Sequence, residues 1–339
     1  AVARMYHERL VGVEFVAVNT DAQHLIQSEI PVKIRIGDKL TRGLGVGGNP
    51  DLGREAAEEN RDELYEALRG SDMVFIAAGM GGGTGTGACS VVAEIAKETG
   101  ALTIGVVTKP FEFEGAKRRK QAEDGIQQLR DNVDSLIVIP NDRLLSLCDP
   151  DVTTEEAFKL ADDVLRQGVQ SIAELVTISG EINLDFADIK AIMSGAGQAW
   201  MAIGSAQGEN RAVEAAKAAI ASPILDVSID GATGVLFNVT GGEDLTLHEV
   251  HEAAEMIAQV VDPNANTIFG VVKDPRLEDE VKITIIATGF PATEHLITES
   301  ERVYSQLGLE NLGEDELDIP PFLRRHPSLR RRFASNGVS

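Results

Sequence analysis

The residues with the clearest chemical potential are the glycines of segment 79–88, which reads Gly-Met-Gly-Gly-Gly-Thr-Gly-Thr-Gly-Ala. Six of its first nine positions are glycine, so few side chains screen the backbone and several N–H groups can converge on one anion. Thr84 and Thr86 add hydroxyl donors, and a helix beginning near Ala88 would add its positive N-terminal end. The pattern predicts a phosphate-binding loop, and the alternative is a flexible turn without a ligand.

Two better-known phosphate-binding motifs do not explain this loop. No lysine follows its last glycines, as a P-loop would require. The next predicted strand ends in Val107-Thr108-Lys109-Pro110, which lacks the acidic residue that binds a ribose in dinucleotide-binding folds. An NAD-type oxidoreductase is therefore disfavoured.

Phe158 and Asp162 are four residues apart on a predicted helix and would share one face. A carboxylate at Asp162 could accept both the N1–H and the 2-amino group of guanine, whereas adenine presents an acceptor at N1. Phe158 could then stack on the base. From the spacing alone, the alternative is a core position for Phe158 and a solvated Asp162.

Two further pairs have simple structural explanations. Glu114 and Arg118 are four apart, which alone indicates a surface ion pair of small energy. Asp185 and Asp188 begin a predicted helix, where Asp185 suits the N-cap and Asp188 interacts favourably with the helix dipole. Spacing alone favours capping over catalysis for this second pair.

A framework of alternating strands and helices must position these residues in the first half of the chain. The predicted strands are Val13–Val18, Met73–Ala78, Leu102–Val107 and Leu136–Ile139. The predicted helices are Asp51–Arg69, Cys89–Glu98 and Lys117–Arg130. This alternation indicates an α/β fold with a Rossmann-like parallel sheet, covered on both faces, whose ligands lie at the carboxyl ends of the strands.

The second half predicts a long central helix and then a smaller α+β domain. The long helix is Thr153–Val176, which a capping sequence begins and Ser179-Gly180 ends. The later predicted elements are helices Asp185–Met193, Ala212–Ser222 and Leu247–Val261, and strands Gly234–Thr240, Thr267–Val272 and Lys282–Thr288. We expect a first domain over 1–149, the central helix over 150–180, the α+β domain over 181–290 and a disordered tail over 291–339.

Composition excludes several classes of function. The 339 residues carry a formal charge of -23, which repels phosphate backbones, so nucleic-acid binding is not expected; salt adaptation would give the same balance. Cys89 and Cys148 form no metal-binding pattern and indicate two reduced, cytosolic thiols. No apolar run approaches the roughly 20 residues of a spanning helix, so direct membrane insertion is not expected.

With the glycine segment as its most specific motif, the sequence resembles the tubulin/FtsZ superfamily, and FtsZ proteins in particular. The likeness extends over nearly the whole chain. The other segments similar to FtsZ motifs are 19–23, 43–50, 108–115, 140–142, 183–188 and 319–325.

The resemblance implies a GTPase that binds GTP and GDP together with Mg²⁺, without assigning a protein metal ligand. Asp162 and Phe158 would form the guanine pocket, Asn141 would contact base or ribose, and Glu114 would hold the ribose with Arg118 near sugar or phosphate. The full set implied to contact nucleotide is Asn19, Asp21, Gly47, Gly48, Gly81, Gly82, Gly83, Thr84, Gly85, Thr86, Gly87, Pro110, Glu114, Arg118, Asn141, Phe158 and Asp162.

The resemblance also implies where hydrolysis takes place. In FtsZ proteins the carboxylates that match Asp185 and Asp188 reach the nucleotide of the neighbouring subunit and position the attacking water, with help from the residue that matches Asn183. Phosphoryl transfer needs charge neutralisation and an aligned nucleophile more than covalent chemistry. Head-to-tail filaments and a GTPase activated by assembly are therefore expected.

The two ends of the sequence carry separate expectations. FtsZ proteins begin with a strand and a further glycine-rich loop, and Ala1-Val2 matches only the end of that loop, so we expect a fragment of a longer protein. Segment 317–325 resembles the peptide with which FtsZ binds membrane-tethering and regulatory division proteins. The arginines that follow it favour an acidic partner or membrane surface.

The sequence therefore predicts a GTP-dependent polymerising protein of the cell-division ring, cytoplasmic and located at mid-cell. The alternatives are a GTPase of the same superfamily with a non-division role, such as cell-shape control, and the disfavoured oxidoreductase.

Overall fold

The computed structural model of the chain describes residues 2–7, 12–145, 152–177, 185–222, 232–274 and 277–290. Asn183, Cys148 and the predicted tail 291–339 with its peptide 317–325 lie outside these residues.

The first half alternates strands and helices as predicted. Its strands are β1 Val16–Asn19, β2 Val32–Arg35, β3 Met73–Gly79, β4 Leu102–Lys109 and β5 Ser135–Pro140. Its helices are α1 Val2–His7, α2 Ala22–Gln27, α3 Asp38–Thr41, α4 Pro50–Glu59, α5 Arg61–Leu68, α6 Thr84–Glu98, α7 Ala116–Asn132 and α8 Asn141–Leu145, with a 3₁₀ turn at Glu112–Glu114.

The second half opens with the long central helix, which spans 24 residues. The helices of this second half are α9 Thr154–Thr177, which is the central helix, α10 Phe186–Met193, α11 Arg211–Ile220 and α12 Leu247–Ala258. Its strands are β6 Gly197–Gln207, β7 Gly234–Gly241, β8 Asn266–Lys273 and β9 Glu280–Thr288.

Seven strands form one continuous sheet in the order β3-β4-β5-β6-β9-β7-β8. Strands β3, β4 and β5 are parallel, and β5 continues the parallel arrangement to β6 through Ser135–Ile137 and Gly197–Ala199. Strand β9 runs antiparallel to both β6 and β7, while β7 and β8 are parallel. The predicted α/β class with a mainly parallel sheet is confirmed.

Helix α9 packs on one face of this sheet along much of its width. Its Val164 and Ile172 belong to a buried cluster that includes Ile137 of β5, Met201 of β6 and Ile286 of β9. On the opposite face, one cluster lies between β3–β5 and helices α6 and α7, and another between β6–β9 and helices α11 and α12.

Strands β1 and β2 form a separate parallel pair that packs against α4–α6. A cavity of about 1220 Å³ lies between this pair and β3, with Val16, Val18 and Phe75 among its walls. No helix in the described part of the chain is both long and apolar enough to cross a membrane.

Three local expectations were wrong. The predicted helix Asp51–Arg69 is two helices, because Asn60 leaves the helical conformation and its side chain binds the Gly37 amide at 2.9 Å and Glu63 at 3.0 Å. Helix α6 begins at Thr84 rather than near Ala88, so the second half of the glycine segment is already helical. Strands β2 and β6 were not predicted, since β2 has four residues and β6 is rich in glycine and alanine.

Candidate nucleotide-binding site

A cavity of about 620 Å³ lies at the carboxyl ends of β3, β4 and β5, where parallel sheets place their ligands. This volume is in the usual range for small-molecule sites. Seven of the residues predicted to contact nucleotide line the cavity: Gly82, Pro110, Glu114, Arg118, Asn141, Phe158 and Asp162. The structure therefore brings together residues from the glycine segment, the segment after β4, the starts of α7 and α8, and the central helix.

The glycine segment closes one end of this cavity as a tight turn between β3 and α6. The Met80 amide donates to the Thr108 carbonyl at 2.9 Å, which ties the turn to β4. The Gly81 amide donates to the Thr86 hydroxyl at 2.9 Å, and Thr86 is 2% exposed. Gly81 has a φ of 96°, which an L side chain rarely adopts. Thr86 thus braces the turn from inside.

The glycines of the segment serve two different purposes. A Cβ on Gly82 would meet nothing within 4 Å, and this residue borders the cavity. By contrast, a Cβ on Gly83 would lie 2.8 Å from the Asn49 amide, and one on Gly85 would lie 2.8 Å from the Gly79 carbonyl oxygen. A Cβ on Gly87 would collide with the Pro50 carbonyl. Packing therefore requires Gly83, Gly85 and Gly87, whereas Gly82 leaves room for a ligand.

The loop of Gly47 and Gly48, which the resemblance also assigns to the nucleotide, lies beside the glycine segment. Gly47 and Gly48 have φ values of 59° and 76°. Gln121 of α7 donates to the Gly48 carbonyl at 3.2 Å. The next residue, Asn49, approaches Gly83 and also caps α4 by accepting from the Asp51 amide at 3.0 Å. The two loops are adjacent, although Gly47 and Gly48 do not line the smaller cavity.

Asn19 and Asp21 also lie outside the smaller cavity. Asn19 Oδ1 accepts from the Asp21 amide at 3.1 Å, and Asp21 caps α2 through the amides of Gln23 and His24. Asn19 lines the larger cavity together with Thr84 and Gly85. The Thr84 hydroxyl lies 2.7 Å from that of Thr20, which links the end of β1 to the glycine segment.

The opposite end of the cavity has the features of a base pocket. Asn141 is 4% exposed, and its Oδ1 has no hydrogen-bond partner within the described structure. A buried acceptor of this kind costs free energy unless a ligand or water donates to it. Phe158 is 42% exposed, and Asp162 lies one turn further along α9. A polar aromatic ligand with N–H groups fits this set.

Glu114 and Arg118 form the third wall. Glu114 Oε1 accepts from the Phe111 amide at 2.9 Å, and Oε2 is paired with Arg118. The carboxylate therefore closes the 3₁₀ turn while it borders the cavity. The ion pair expected from the spacing is present, and both side chains line the site.

Sequence reasoning missed two groups of residues beside the base pocket. Phe111 and Phe113 stack with centroids 5.1 Å apart, and both contact the edge of Phe158. Both lie in segment 108–115, which resembles an FtsZ motif, but neither was assigned a role at the base pocket. Arg4 of α1 contacts Asp162 and Asp163, a contact that only the fold creates.

Asp185 and Asp188 do not line the cavity of their own chain. They are exposed at the start of α10, where Asp188 Oδ2 accepts from the Asp185 amide at 3.3 Å. Asp185 stands at the N-cap position, as expected, but its side chain makes no cap hydrogen bond there. Asn183 lies outside the described residues.

Cys89 lies in α6 directly behind the glycine segment. Burial raises the pKa of its thiol to about 12. The residue is therefore a neutral packing group and not a nucleophile.

Comparison with known proteins places this geometry in a family. Residues 2–149 match the tubulin/FtsZ family GTPase domain, and residues 197–291 match the C-terminal domain of the FtsZ family. The empty FtsZ dimer of M. jannaschii is 49% identical with a TM-score of 0.82, over 85% of this chain and 84% of that chain. A point mutant of FtsZ from M. jannaschii is also 49% identical with a TM-score of 0.83, over 85% of this chain and 87% of the other.

A more distant similarity concerns the fold alone. GDP-bound CetZ1 from Haloferax volcanii is 23% identical with a TM-score of 0.73, over 91% of this chain and 95% of the other.

Proposed function

This chain belongs to the tubulin/FtsZ family of GTPases, and from that premise we propose that it polymerises with GTP, hydrolyses GTP between subunits and forms the cell-division ring. One observation carries the shared-site proposal: the exposed Asp185 and Asp188 do not line their own chain's cavity. Self-association is supported by the FtsZ dimer among the similar structures.

The titratable residues that line the cavity within the described structure are Glu114, Arg118 and Asp162. Glu114 is occupied by the Phe111 amide and by Arg118, and Asp162 lies at the base end. Among the described residues that line this cavity, none provides a general base at the phosphate end, which favours a base supplied by a neighbouring subunit.

GTP would bind with its base between α9 and the start of α8. Asp162 would accept from guanine, Phe158 would stack on it, and the unpaired Oδ1 of Asn141 would accept from base or ribose. Glu114, Arg118 and Pro110 would border the sugar.

The phosphates would lie over Gly81 and Gly82, with the loop of Gly47 and Gly48 beside the terminal phosphate. Gly83, Gly85 and Gly87 would serve by letting this loop and α4 approach closely, and Thr84 and Thr86 by fixing the turn. Asn19 and Asp21 would close the site from the end of β1.

A Mg²⁺ ion would be held mainly by phosphate oxygens and water. The described residues contain no group of three or more His, Cys, Asp and Glu side chains placed to bind a metal. Proteins often bind Mg²⁺ through few side chains together with substrate phosphates, so the site is compatible with the ion. It would neutralise charge on the transferred phosphoryl group.

Hydrolysis would begin when the α10 end of one subunit meets the nucleotide of the next. Asp185 and Asp188, with Asn183, would orient a water molecule for attack. The two domains, 1–149 and 181–290, with the central helix 150–180 between them, would then each contribute half of one active site.

The cellular role is proposed from the FtsZ likeness and the C-terminal sequence. We propose a cytoplasmic protein at mid-cell, whose peptide 317–325 binds membrane-tethering and regulatory division proteins. The second candidate is a GTPase of the same superfamily with a non-division role, such as cell-shape control. Cells depleted of the protein should grow into long cells that do not divide. Normal division with altered cell shape would favour the second candidate.

Polymerisation itself has a direct test. Full-length protein should sediment as filaments with GTP but not with ATP or GDP, and the polymer should disappear as GTP is consumed. Equal sedimentation with ATP would show that the base pocket is misassigned.

A further inference from the structure

The C-terminal end of α10 is held by three hydrogen bonds from outside the helix. The Ser135 hydroxyl donates to the Met193 carbonyl at 2.6 Å. The Thr288 hydroxyl lies 3.3 Å from the Ile192 carbonyl oxygen and 3.3 Å from that of Gly234, so its single proton is shared between them. Just beyond the helix, the Gly195 amide donates to Asp134 Oδ1 at 3.3 Å. The contacts of Ser135 and Thr288 use carbonyl groups that a helix end leaves without internal partners.

The anchor is buried and therefore resists displacement. Ser135 and Thr288 are 0% and 1% exposed, and Ile189 and Met193 are 0% exposed in the core under α10. A shift of the helix would leave the buried Ser135 hydroxyl and the Met193 carbonyl without a partner, which is unfavourable in the core. The other end of α10, with Asp185 and Asp188, is exposed.

The strand that supplies Ser135 also leads to the base pocket. Strand β5 runs from Ser135 to Pro140, and the next residue is Asn141, whose unpaired Oδ1 is buried at the cavity. Six residues of strand span roughly 20 Å. One central strand thus carries the anchor of α10 at its start and a predicted nucleotide contact just past its end.

We propose that Ser135 and Asp134 are positioning residues for GTP hydrolysis, because they fix the helix that presents Asp185 and Asp188 to the neighbouring subunit. Asp134 strengthens the anchor by joining β4 to α10, since its Oδ2 accepts from the Thr103 amide at 2.9 Å. This inference rests on the proposed catalytic role of the two aspartates.

The test compares Ser135→Ala with the matched variant Ser171→Ala in the full-length protein. Ser171 is also buried, and its hydroxyl makes one long-range hydrogen bond, to Thr284 at 3.2 Å, away from α10. Ser135→Ala should lower kcat per polymerised subunit roughly tenfold, because small misplacements of reacting groups have large effects. KM for GTP and the amount of polymer should stay within about twofold in both variants.

A second variant guards against a general loss of structure. Asp134→Asn keeps the size of the side chain but replaces one acceptor oxygen with a donor, and it should reduce kcat in the same direction. Ser135→Ala should add no further loss in a variant whose Asp185 and Asp188 are both replaced by Ala, because Ser135 acts through these two residues.

Three results would overturn the inference. An unchanged kcat in Ser135→Ala, with Asp188→Ala inactive, would reject the anchor role alone. An equal loss in Ser171→Ala would make the effect general packing. Full activity of Asp188→Ala would reject the catalytic assignment itself and the inference with it.

Discussion

Arg4 Nε lies 3.7 Å from Asp162 Oδ2, so a positively charged side chain of α1 lies beside the carboxylate that is expected to recognise guanine. The same guanidinium donates through Nη1 to Asp163 Oδ1 at 3.2 Å and to the Lys159 carbonyl at 3.0 Å. Asp162 lines the cavity and Asp163 does not. The two neighbouring aspartates share Arg4 and differ in their access to a ligand.

Asp162→Ala should weaken GTP binding by about 1–3 kcal/mol, the cost of losing a charged hydrogen-bond acceptor. Asp163→Ala should have a much smaller effect, because a partly exposed ion pair contributes only about 0–1 kcal/mol. Calorimetric titration of both variants with GTP and ATP would measure this. Equal losses in the two variants, or equal affinity of the unmutated protein for ATP, would contradict the base assignment.

Gly82→Ala and Gly87→Ala should separate binding from folding. A methyl group on Gly82 enters open space at the cavity, so nucleotide affinity should fall while the free energy of unfolding changes by about 1 kcal/mol or less. A methyl group on Gly87 collides with Pro50, so unfolding should become easier by about 1–3 kcal/mol. Urea unfolding measures the stability of each variant, and titration with GTP measures its nucleotide affinity. Tight GTP binding by Gly82→Ala would show that the phosphates do not lie at Gly82.

Cys89 should make stability fall at alkaline pH. In the unfolded chain a thiol ionises near pH 8.5, whereas the folded pKa is about 12. Between these values the unfolded state releases a proton that the folded state retains, so stability decreases by up to about 1.4 kcal/mol per pH unit. The test measures the free energy of unfolding in urea between pH 7 and 10 for two proteins, Cys148→Ala and the double variant Cys89→Ala/Cys148→Ala. The free energy of unfolding should depend less on pH in the double variant. Identical slopes would refute a buried, protonated thiol.

The C-terminal tail, residues 291–339, should bind its partners without contributing to polymerisation. Deletion of residues 315–332 should leave GTP-dependent sedimentation unchanged, while a fluorescent fusion should lose its place at the division site. A scrambled segment of the same composition is the matched control for its charge. Loss of polymer on deletion would put the tail inside the contact between subunits.

The sequence predicted the sheet class and the phosphate turn because both depend on local patterns. Runs such as Leu102–Val107 alternate with amphipathic helices, and six glycines mark the turn. Strand β6 escaped prediction because its residues are mostly small, and tertiary pairing with β9 determines its conformation. The break at Asn60 also depends on a distant partner, the Gly37 amide.

Sequence patterns predicted several side chains that line the cavity, but they did not predict the residues that pack behind these side chains. Phe158 and Asp162 follow from helical spacing once a base pocket is assumed. The packing roles of Gly83 and Gly87 could not be recognised, because they depend on Asn49 and Pro50 crossing the segment. Arg4 carries no motif, and only the contact of α1 with α9 places it beside the pocket.

The shared active site is tested most directly by turnover as a function of protein concentration, with Asp188→Ala subunits mixed in. Asp188→Ala should cost only about 0.3–1 kcal/mol of stability through the helix dipole and leave GTP binding intact. It should reduce turnover roughly a hundredfold or more, the scale of losing a positioned catalytic group.

For the unmutated full-length protein, GTP turnover per subunit should rise with concentration, and added Asp188→Ala subunits should lower the activity of each remaining active subunit. The contrary result is a turnover per subunit that stays constant on dilution, even where no filaments remain, and that does not change when Asp188→Ala subunits are added. That result would contradict hydrolysis between subunits and place the catalytic group within a single chain.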